Sequence, residues 1–535
     1  MHHALESYDI LWAIFRNFEP TTSYQDRTTL ANAARVCRRV SSIALDCLWR
    51  HLTDPLPALK VISSFQAVTP TFDPDDENSY RDDEIEGDRY HLTDIISARD
   101  MERFQLYATR VRVLSFSSGK SWSSRAAVLS CIASLSRGPL FPNLQELAWS
   151  QTSPADFTIL SFLTHAILRF SINHASGSLR DEIWSVHDPG LSTYLHAISS
   201  SLPNLRELSI QTRCCPSIIL PLVRLRHLRK VSLYPTSMDC TLYRFLATLV
   251  NLVDLELRLE LMDDTDVAFP QGFNALETLD ISGRLSHIVR FAVAINSTAF
   301  RSVSIYDYDG ESDERDLCLF FAVLRHKFRS SLRRVTCGTM LKKTTSVPLI
   351  DIIYPLMELP PLDSISFNSM TPFRTSSTDL TKMAASWPNL TALRICYDSE
   401  DEPPHISVLL ELSRLCPHLR ILTLPSLDFR SPVPDYTPPP ATQPHALRAL
   451  NVAFFPRRAI EDPMSVAQFI DTVFPELVLE RTLVSARRPD GVKPDRWAWG
   501  RLREALGAFK ARRMHSGASV REHGLSAAYH GSQDT

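Results

Sequence analysis

The chain has 535 residues, 44% of them hydrophobic, enough to bury a large core and to exclude global disorder. Lys and Arg number 57 against 60 Asp and Glu, and the resulting net charge of −3 gives no support to general binding of nucleic acid or of an anionic membrane surface. No apolar run approaches the roughly 20 residues that span a bilayer, and the opening MHHALESYDI lacks the charged-then-apolar order of a secretory signal.

Residues 5–50 carry helical periodicity. Leu5, Tyr8, Leu11, Trp12 and Phe15 recur at helical spacing, with Ile10, Ile14 and Phe18 widening the stripe until Glu19-Pro20 stops it. Leu30, Ala33, Ala34 and Cys37 mark a second helix. Val40, Ile43, Ala44 and Cys47 mark a third, closed by Leu48-Trp49. Three short helices with apolar faces this wide do not bury themselves, so part of that surface is expected to meet a partner or the next segment. Residues 73–88 then hold nine acids and one Arg and read as a solvated linker.

From about 105 to 455 one phrase returns thirteen times: apolar-x-x-apolar-x-apolar. LPNLRELSI, LVNLVDLEL, WPNLTALRI and CPHLRILTL are clear copies. Its first apolar residues run from Val111 to Leu447, with a mean spacing of 28 residues. Helix-like stretches such as Leu191, Leu195, Ile198 and Leu202 precede the phrases. Helix, short turn and strand at this period resemble the leucine-rich-repeat unit, which implies an α/β solenoid, or horseshoe. Four spacings near the middle are 23, 24, 24 and 24. The next five lie between 28 and 32 and predict longer convex helices or loops. Most copies lack the Asn that usually closes each coil. The 38-residue gap before Leu205 implies an extra loop around 173–189, and the Pro-rich run 432–444 implies another.

Beyond the repeats, Val466, Phe469, Ile470, Val473 and Phe474 form one helical stripe. Trp499, Leu502, Leu506 and Phe509 form another, with Arg501, Arg503, Lys510, Arg512 and Arg513 around it. A C-terminal helical cap over the end of the solenoid is one reading, and a basic interaction helix is the other. Residues 514–535 read as a disordered tail.

The segment LESYDILWAIFRNF…LANAARVCRRVSSIALDCLWRHL resembles the F-box, in its Ile10-Leu11-Trp12-Ala13-Ile14-Phe15 run, its Leu30 to Cys37 stretch and its closing Leu45 to Arg50. His3-Ala4-Leu5 replaces the usual Leu-Pro opening, and Val40 stands where a Trp commonly follows the Cys-Arg pair. An F-box followed by leucine-rich repeats is familiar from fungal F-box proteins. The resemblance implies a three-helix F-box at 1–52, a linker at 53–104, irregular repeats at 105–455, a cap at 456–513 and a tail at 514–535. It further implies a Skp-type adaptor and a cullin–RING ubiquitin ligase as partners, with the chain a monomer in that complex. The expected adaptor-facing or core set is Leu5, Ile10, Leu11, Ile14, Phe15, Leu30, Val36, Leu48 and Trp49.

No catalytic pattern emerges. The 15 glycines are never closer than seven positions, which excludes G-x-G-x-x-G, Walker and G-x-S-x-G loops. Neither H-E-x-x-H nor C-x-x-C occurs, so no zinc site and no cofactor is expected. The acidic run Asp307 to Asp313 reads as a surface loop rather than a calcium loop, because its Gly is misplaced. Ten scattered cysteines read as reduced thiols, as in the cytoplasm or nucleus.

What remains is surface. Strand alternation places Lys230, Tyr234, Asp254, Glu256, Arg258, Asp280, Tyr306, Arg334 and Arg394 on the concave side. The first seven are the expected target-binding residues, with Asp254, Glu256 and Asp280 forming an acidic centre for a basic segment. Basic residues do not gather on one side of the repeats in this reading, which argues against nucleic acid. The expected function is substrate recognition within an F-box ligase. The alternative is an adaptor-independent repeat scaffold whose first segment only caps the solenoid.

Overall fold

Every one of the thirteen phrases becomes a strand that begins two residues after its first apolar residue. The computed structural model describes residues 7–67, 90–117, 122–136, 138–151, 157–174, 189–211, 215–234, 240–259, 269–342, 347–397, 402–429, 433–434, 436, 444–453, 460–482 and 500–513. The acidic run 73–88, most of the loop around 173–189, most of the Pro-rich run and the tail 514–535 therefore lie outside the described residues. The chain divides into two units, Met1–Phe273 and Asn274–Thr535.

In the first unit three helices, α1 (Tyr8–Phe15), α2 (Tyr24–Ala33) and α3 (Arg38–Trp49), lead into a two-residue strand, β1 (His51–Leu52). The described parts of the stretch expected as a linker, 53–67 and 90–104, fold instead. They hold α4 (Leu56–Leu59), an antiparallel pair of β2 (Phe65–Ala67) with β3 (Tyr90–Leu92), and α5 (Ala98–Ala108), built around buried Leu59, Ile62, Phe65 and Tyr90. The repeat strands follow: β4 (Val113–Ser117), β5 (Glu146–Gln151), β6 (Arg169–His174), β7 (Glu207–Gln211), β8 (Lys230–Leu233) and β9 (Asp254–Leu259). Each pairs with the next in parallel, and β1 joins their edge through β4.

The second unit continues the pattern with β10 (Thr278–Gly283), β11 (Ser302–Asp307), β12 (Arg334–Thr339), β13 (Ser364–Ser369), β14 (Ala392–Cys396), β15 (Ile421–Leu424) and β16 (Ala449–Val452), again all parallel. Parallel neighbours need a crossover connection, and helices supply it for the five steps from β10 to β15. These are α6 (Leu285–Ala294), α7 (Glu314–Phe328), α8 (Leu349–Met357), α9 (Ser377–Ser386) and α10 (Val408–Leu415). The 32-residue spacing before Leu332 accommodates α7, a 15-residue helix.

The core is the phrase itself. The first apolar residue of all thirteen copies, Val111 to Leu447, has no exposed surface, and the residues three and five further on are buried throughout. Helix starts follow local chemistry. Ser97, Asp313 and Ser376 cap their helices while Asp100, Asp316 and Asp379 reach back to the capping backbone N–H, the reciprocal pattern that satisfies otherwise orphaned amides. The acidic run is thereby explained. Asp307 is fully buried and accepts hydrogen bonds from Leu285 N at 3.1 Å and Asp309 N at 3.2 Å, and Asp313 is the cap of α7.

Within each unit, one carbonyl at the strand entrance accepts two N–H groups from the next repeat. Leu168 O takes Arg206 N (2.8 Å) and Glu207 N (3.1 Å), and Arg301 O takes Arg333 N (2.8 Å) and Arg334 N (3.0 Å). At the C-terminal end α11 (Pro463–Val473) buries Val466, Phe469, Ile470 and Val473. The helix over 500–513 buries Leu502 and Leu506. Its basic residues bond to the segment after α11: Arg503 Nη2 donates to Leu479 O at 3.2 Å, Arg513 Nη1 to Pro475 O at 3.0 Å, and Lys510 Nζ to Leu477 O. Among the described residues no helix is long and apolar enough to cross a membrane.

Two outcomes are expected. Leu228→Ala removes a fully buried ladder residue and should cost about 2–5 kcal/mol, read as a lower denaturant midpoint. Asp100 is held well below the ordinary carboxylate range by the Ser97 hydroxyl and by the Ser63 amide and hydroxyl. Its contribution is therefore present above the unfolded Asp value, about 3.9, and is lost as pH falls toward the lower folded value. Asp100→Asn should lower the thermal midpoint at pH 7, and the gap to wild type should narrow below about pH 3.9.

Candidate interaction surfaces

The three N-terminal helices divide the expected adaptor set into two classes. Leu11 (4% exposed) and Leu30 form a core with Ile43, Ala44 and Cys47. Ile10 (42%), Ile14 (43%) and Val36 (69%) face outward, joined by exposed Tyr8 and Tyr24. Phe15, Leu48 and Trp49 are half-buried, and Leu5 lies outside the described residues. Exposed apolar side chains such as the Ile10 and Ile14 pair on α1 are of the kind that partner proteins cover.

The other side of this bundle is anchored to the sheet. Trp49 packs on Tyr107 of α5 with ring centroids 4.6 Å apart. Arg110 forms an ion pair with Asp46 and donates to Ser42 O at 3.1 Å. Arg50 O accepts Arg112 N (2.8 Å) and Val113 N (2.9 Å), the same double acceptance that joins the repeats. The guanidinium of Arg50 lies 5.7 Å from the Trp12 ring centroid, beside a cleft of about 480 Å³ that Phe18 and His51 also line. Burial holds the His51 imidazole below its ordinary pKa, with Glu146 opposing, and Nε2 sits 3.2 Å from Ser115 Oγ.

Residues 8–54 match the F-box-like family model. They form an F-box-like domain. None of the curated proteins matches the chain in sequence. Among solved structures, an internalin of Listeria monocytogenes is similar at 15% identity, over 70% of this chain and 94% of that one, with a TM-score of 0.37. The leucine-rich repeat-containing protein LegL7 of Legionella pneumophila is similar at 11% identity, over 51% and 89%, with a TM-score of 0.28. A leucine-rich-repeat protein of Leptospira interrogans is similar at 14% identity, over 68% and 77%, with a TM-score of 0.30.

Away from the F-box-like domain, the open face of the strands carries the expected target residues, with a different charge arrangement from the one anticipated. In the first unit Glu146, Arg169, Glu207, Lys230 and Asp254 stand in one row across β5–β9 and alternate in sign. Arg169 Nε donates to Glu146 at 2.8 Å, and Lys230 Nζ lies 3.0 Å from Asp254. The hydrogen bond that Lys230 donates to Asp254 comes first in holding Lys230 above its ordinary pKa, with Glu207 and Glu256 adding to it. Tyr234 donates its hydroxyl to Glu256 at 2.5 Å. The acidic centre is thus not a bare cluster: a cation neutralises Asp254 and a phenol bonds Glu256. Arg258 is exposed on β9. Asp280 and Tyr306 belong to the second unit, where Asp280 stands beside Ser304 and Tyr306 beside Gly338.

One basic feature escaped the sequence reading. Arg206, Arg229, Arg301, Arg333, Arg420 and Arg448 all follow the first apolar residue of a phrase and are all exposed. The recurring Leu-Arg and Phe-Arg pairs were the available signal. Acids temper this edge, with Arg301 3.9 Å from Glu277 and Arg448 4.0 Å from Glu476. Among the described residues no three His, Cys, Asp or Glu gather as metal ligands. Cys47, Cys215, Cys337 and Cys416 are buried and free, and burial pushes the Cys47 and Cys416 thiols up to about 11.

The Lys230–Asp254 pair is half-exposed, so its direct energy is about 0.2–1 kcal/mol. Lys230→Glu is expected to lower the thermal midpoint slightly by placing like charges side by side. The swap Lys230→Glu with Asp254→Lys should recover only part of the loss, because Glu207 stays beside position 230, and a double-mutant cycle measures the part that belongs to the pair.

Proposed function

We propose that this chain is the substrate-recognition subunit of a Skp–cullin–F-box-type ubiquitin ligase. The F-box-like domain would bind the adaptor through Ile10, Ile14, Val36 and the tyrosines around them, while the open strand face holds a target protein. The observation that carries this reading is the split within that domain: Leu11 and Leu30 complete a core, yet Ile10, Ile14 and Val36 stay in solvent. Burying those side chains against a partner would recover roughly 25 cal/mol per Å² of apolar area. The chain itself would supply proximity, raising the effective concentration of target lysines near the conjugating enzyme. On this reading it acts in the cytoplasm or nucleus as one copy per complex.

A second reading has its own support. α3 runs without a break into β1, and the Arg110, Trp49 and Arg50 contacts make the bundle a lid on the first strand of the sheet. A protein in which this is the domain's whole role would be an adaptor-independent scaffold. The two readings separate on co-purification of the full chain with a Skp-type adaptor. Wild type should capture the adaptor, and Ile10→Asp with Ile14→Asp should abolish capture while leaving the thermal midpoint nearly unchanged. Leu11→Asp should instead unfold the domain, because it buries an unpaired charge. A well-folded wild type that captures no adaptor overturns the ligase reading in favour of the scaffold.

A further inference from the structure

Charges on the open strand face are distributed unequally between the two units. In the first, the cations of the row from Glu146 to Asp254 are matched by adjacent acids. In the second, the positions facing the same way carry two cations, Arg334 on β12 and Arg394 on β14, and one acid, Asp280 on β10. Neither arginine has an ion-pair partner among the described residues. Their strand neighbours are hydroxyl residues: Arg334 lies between Ser302 and Ser364, and Arg394 lies between Ser366 and Thr423. Unpaired guanidinium groups flanked by hydroxyl donors form a surface complementary to carboxylates, which accept two parallel N–H bonds from one arginine.

On the reading that a target protein is held on this face, we infer that the second unit binds an Asp/Glu-rich segment of that target, with Arg334 and Arg394 as its two anchoring cations. Two strand spacings separate β12 from β14, about 10 Å. Arg334 is level with Ala392, so Arg394 also lies two residues further along its strand and the two sit about 12 Å apart, a span that acids three or four positions apart on an extended peptide match at about 3.3 Å per residue. An apolar ridge lies alongside. Tyr308, Met340 and Met370 follow the ends of β11, β12 and β13 and are all exposed. The Tyr306 and Tyr308 rings lean over Gly338, where an added Cβ would fall 2.8 Å from the Tyr306 ring and closer still to the Tyr308 hydroxyl. The segment that fits has carboxylates at a three- or four-residue interval and an apolar side chain beside them. The acidic centre expected as a hot spot for a basic segment is replaced by a basic face for an acidic one.

Selection of random dodecapeptides on the full chain tests this. Wild type should enrich peptides with paired Asp or Glu, and their affinity should fall steeply with added salt. Arg334→Glu with Arg394→Glu should lose that enrichment and weaken a selected peptide about tenfold or more, while keeping wild-type adaptor capture. Should the reversed pair fold poorly, Arg334→Gln with Arg394→Gln serves, with a smaller loss in the same direction. Enrichment of basic or uncharged peptides, equal acidic enrichment by the double variant, or binding only to phosphoserine peptides would each overturn the assignment. Acidic enrichment by a chain that captures no adaptor would sink the ligase reading and leave this one standing.

Discussion

The doubly accepting carbonyl at each strand entrance is the constraint on which the remaining features depend. It holds one repeat against the next at a fixed offset within each unit, from Arg50 O to Arg229 O in the first and from Glu277 O to Arg420 O in the second. A one-residue slip would exchange the buried and open sides of a strand, turning Leu208 and Ile210 outward and Glu207 and Ser209 inward. Fixed register is why residues far apart in sequence form continuous rows on the open face. A buried carbonyl left without partners is costly, so the ladder and the apolar core enforce each other.

Given that register, each unit's surface chemistry follows from one residue type per repeat. The first unit pairs its own charges along a row, which ties its strands together and leaves little net charge for a visitor. The second unit spaces Arg334 and Arg394 among serines and threonines, so its strand face remains electrostatically unspent. The same repeat geometry therefore yields one face whose cations pair with neighbouring acids, as Lys230 does with Asp254, and another where Arg334 and Arg394 stand among hydroxyl residues.

The F-box-like domain shows the same economy. α3 faces the sheet through Trp49 and Asp46, while α1 and α2 retain apolar side chains in solvent. One short bundle thus has a structural side and a free side, and the two proposed roles of the domain are borne by different residues.

Much of the fold was legible because packing in a repeat array is local. Thirteen apolar phrases, read by spacing alone, located thirteen strands, and helical periodicity located α1, α2 and α3 to within a few residues. β1 was not legible, since two residues carry no period, and it exists only because α3 delivers Arg50 O to the amides of Arg112 and Val113. Nor was the folding of residues 56–67 and 90–108 legible, because Leu59, Ile62 and Phe65 become a core only when Tyr90 returns to cover them. Sequence by itself determined which residues are buried in each repeat, since an apolar side chain at period two or 3.6 has one favourable place to go. Only the tertiary structure decided which of Ile10, Leu11 and Ile14 is core, and which strand-face charges are already neutralised. Those outcomes turn on pairings such as Lys230 with Asp254, set by register across neighbouring strands rather than by neighbours in the chain.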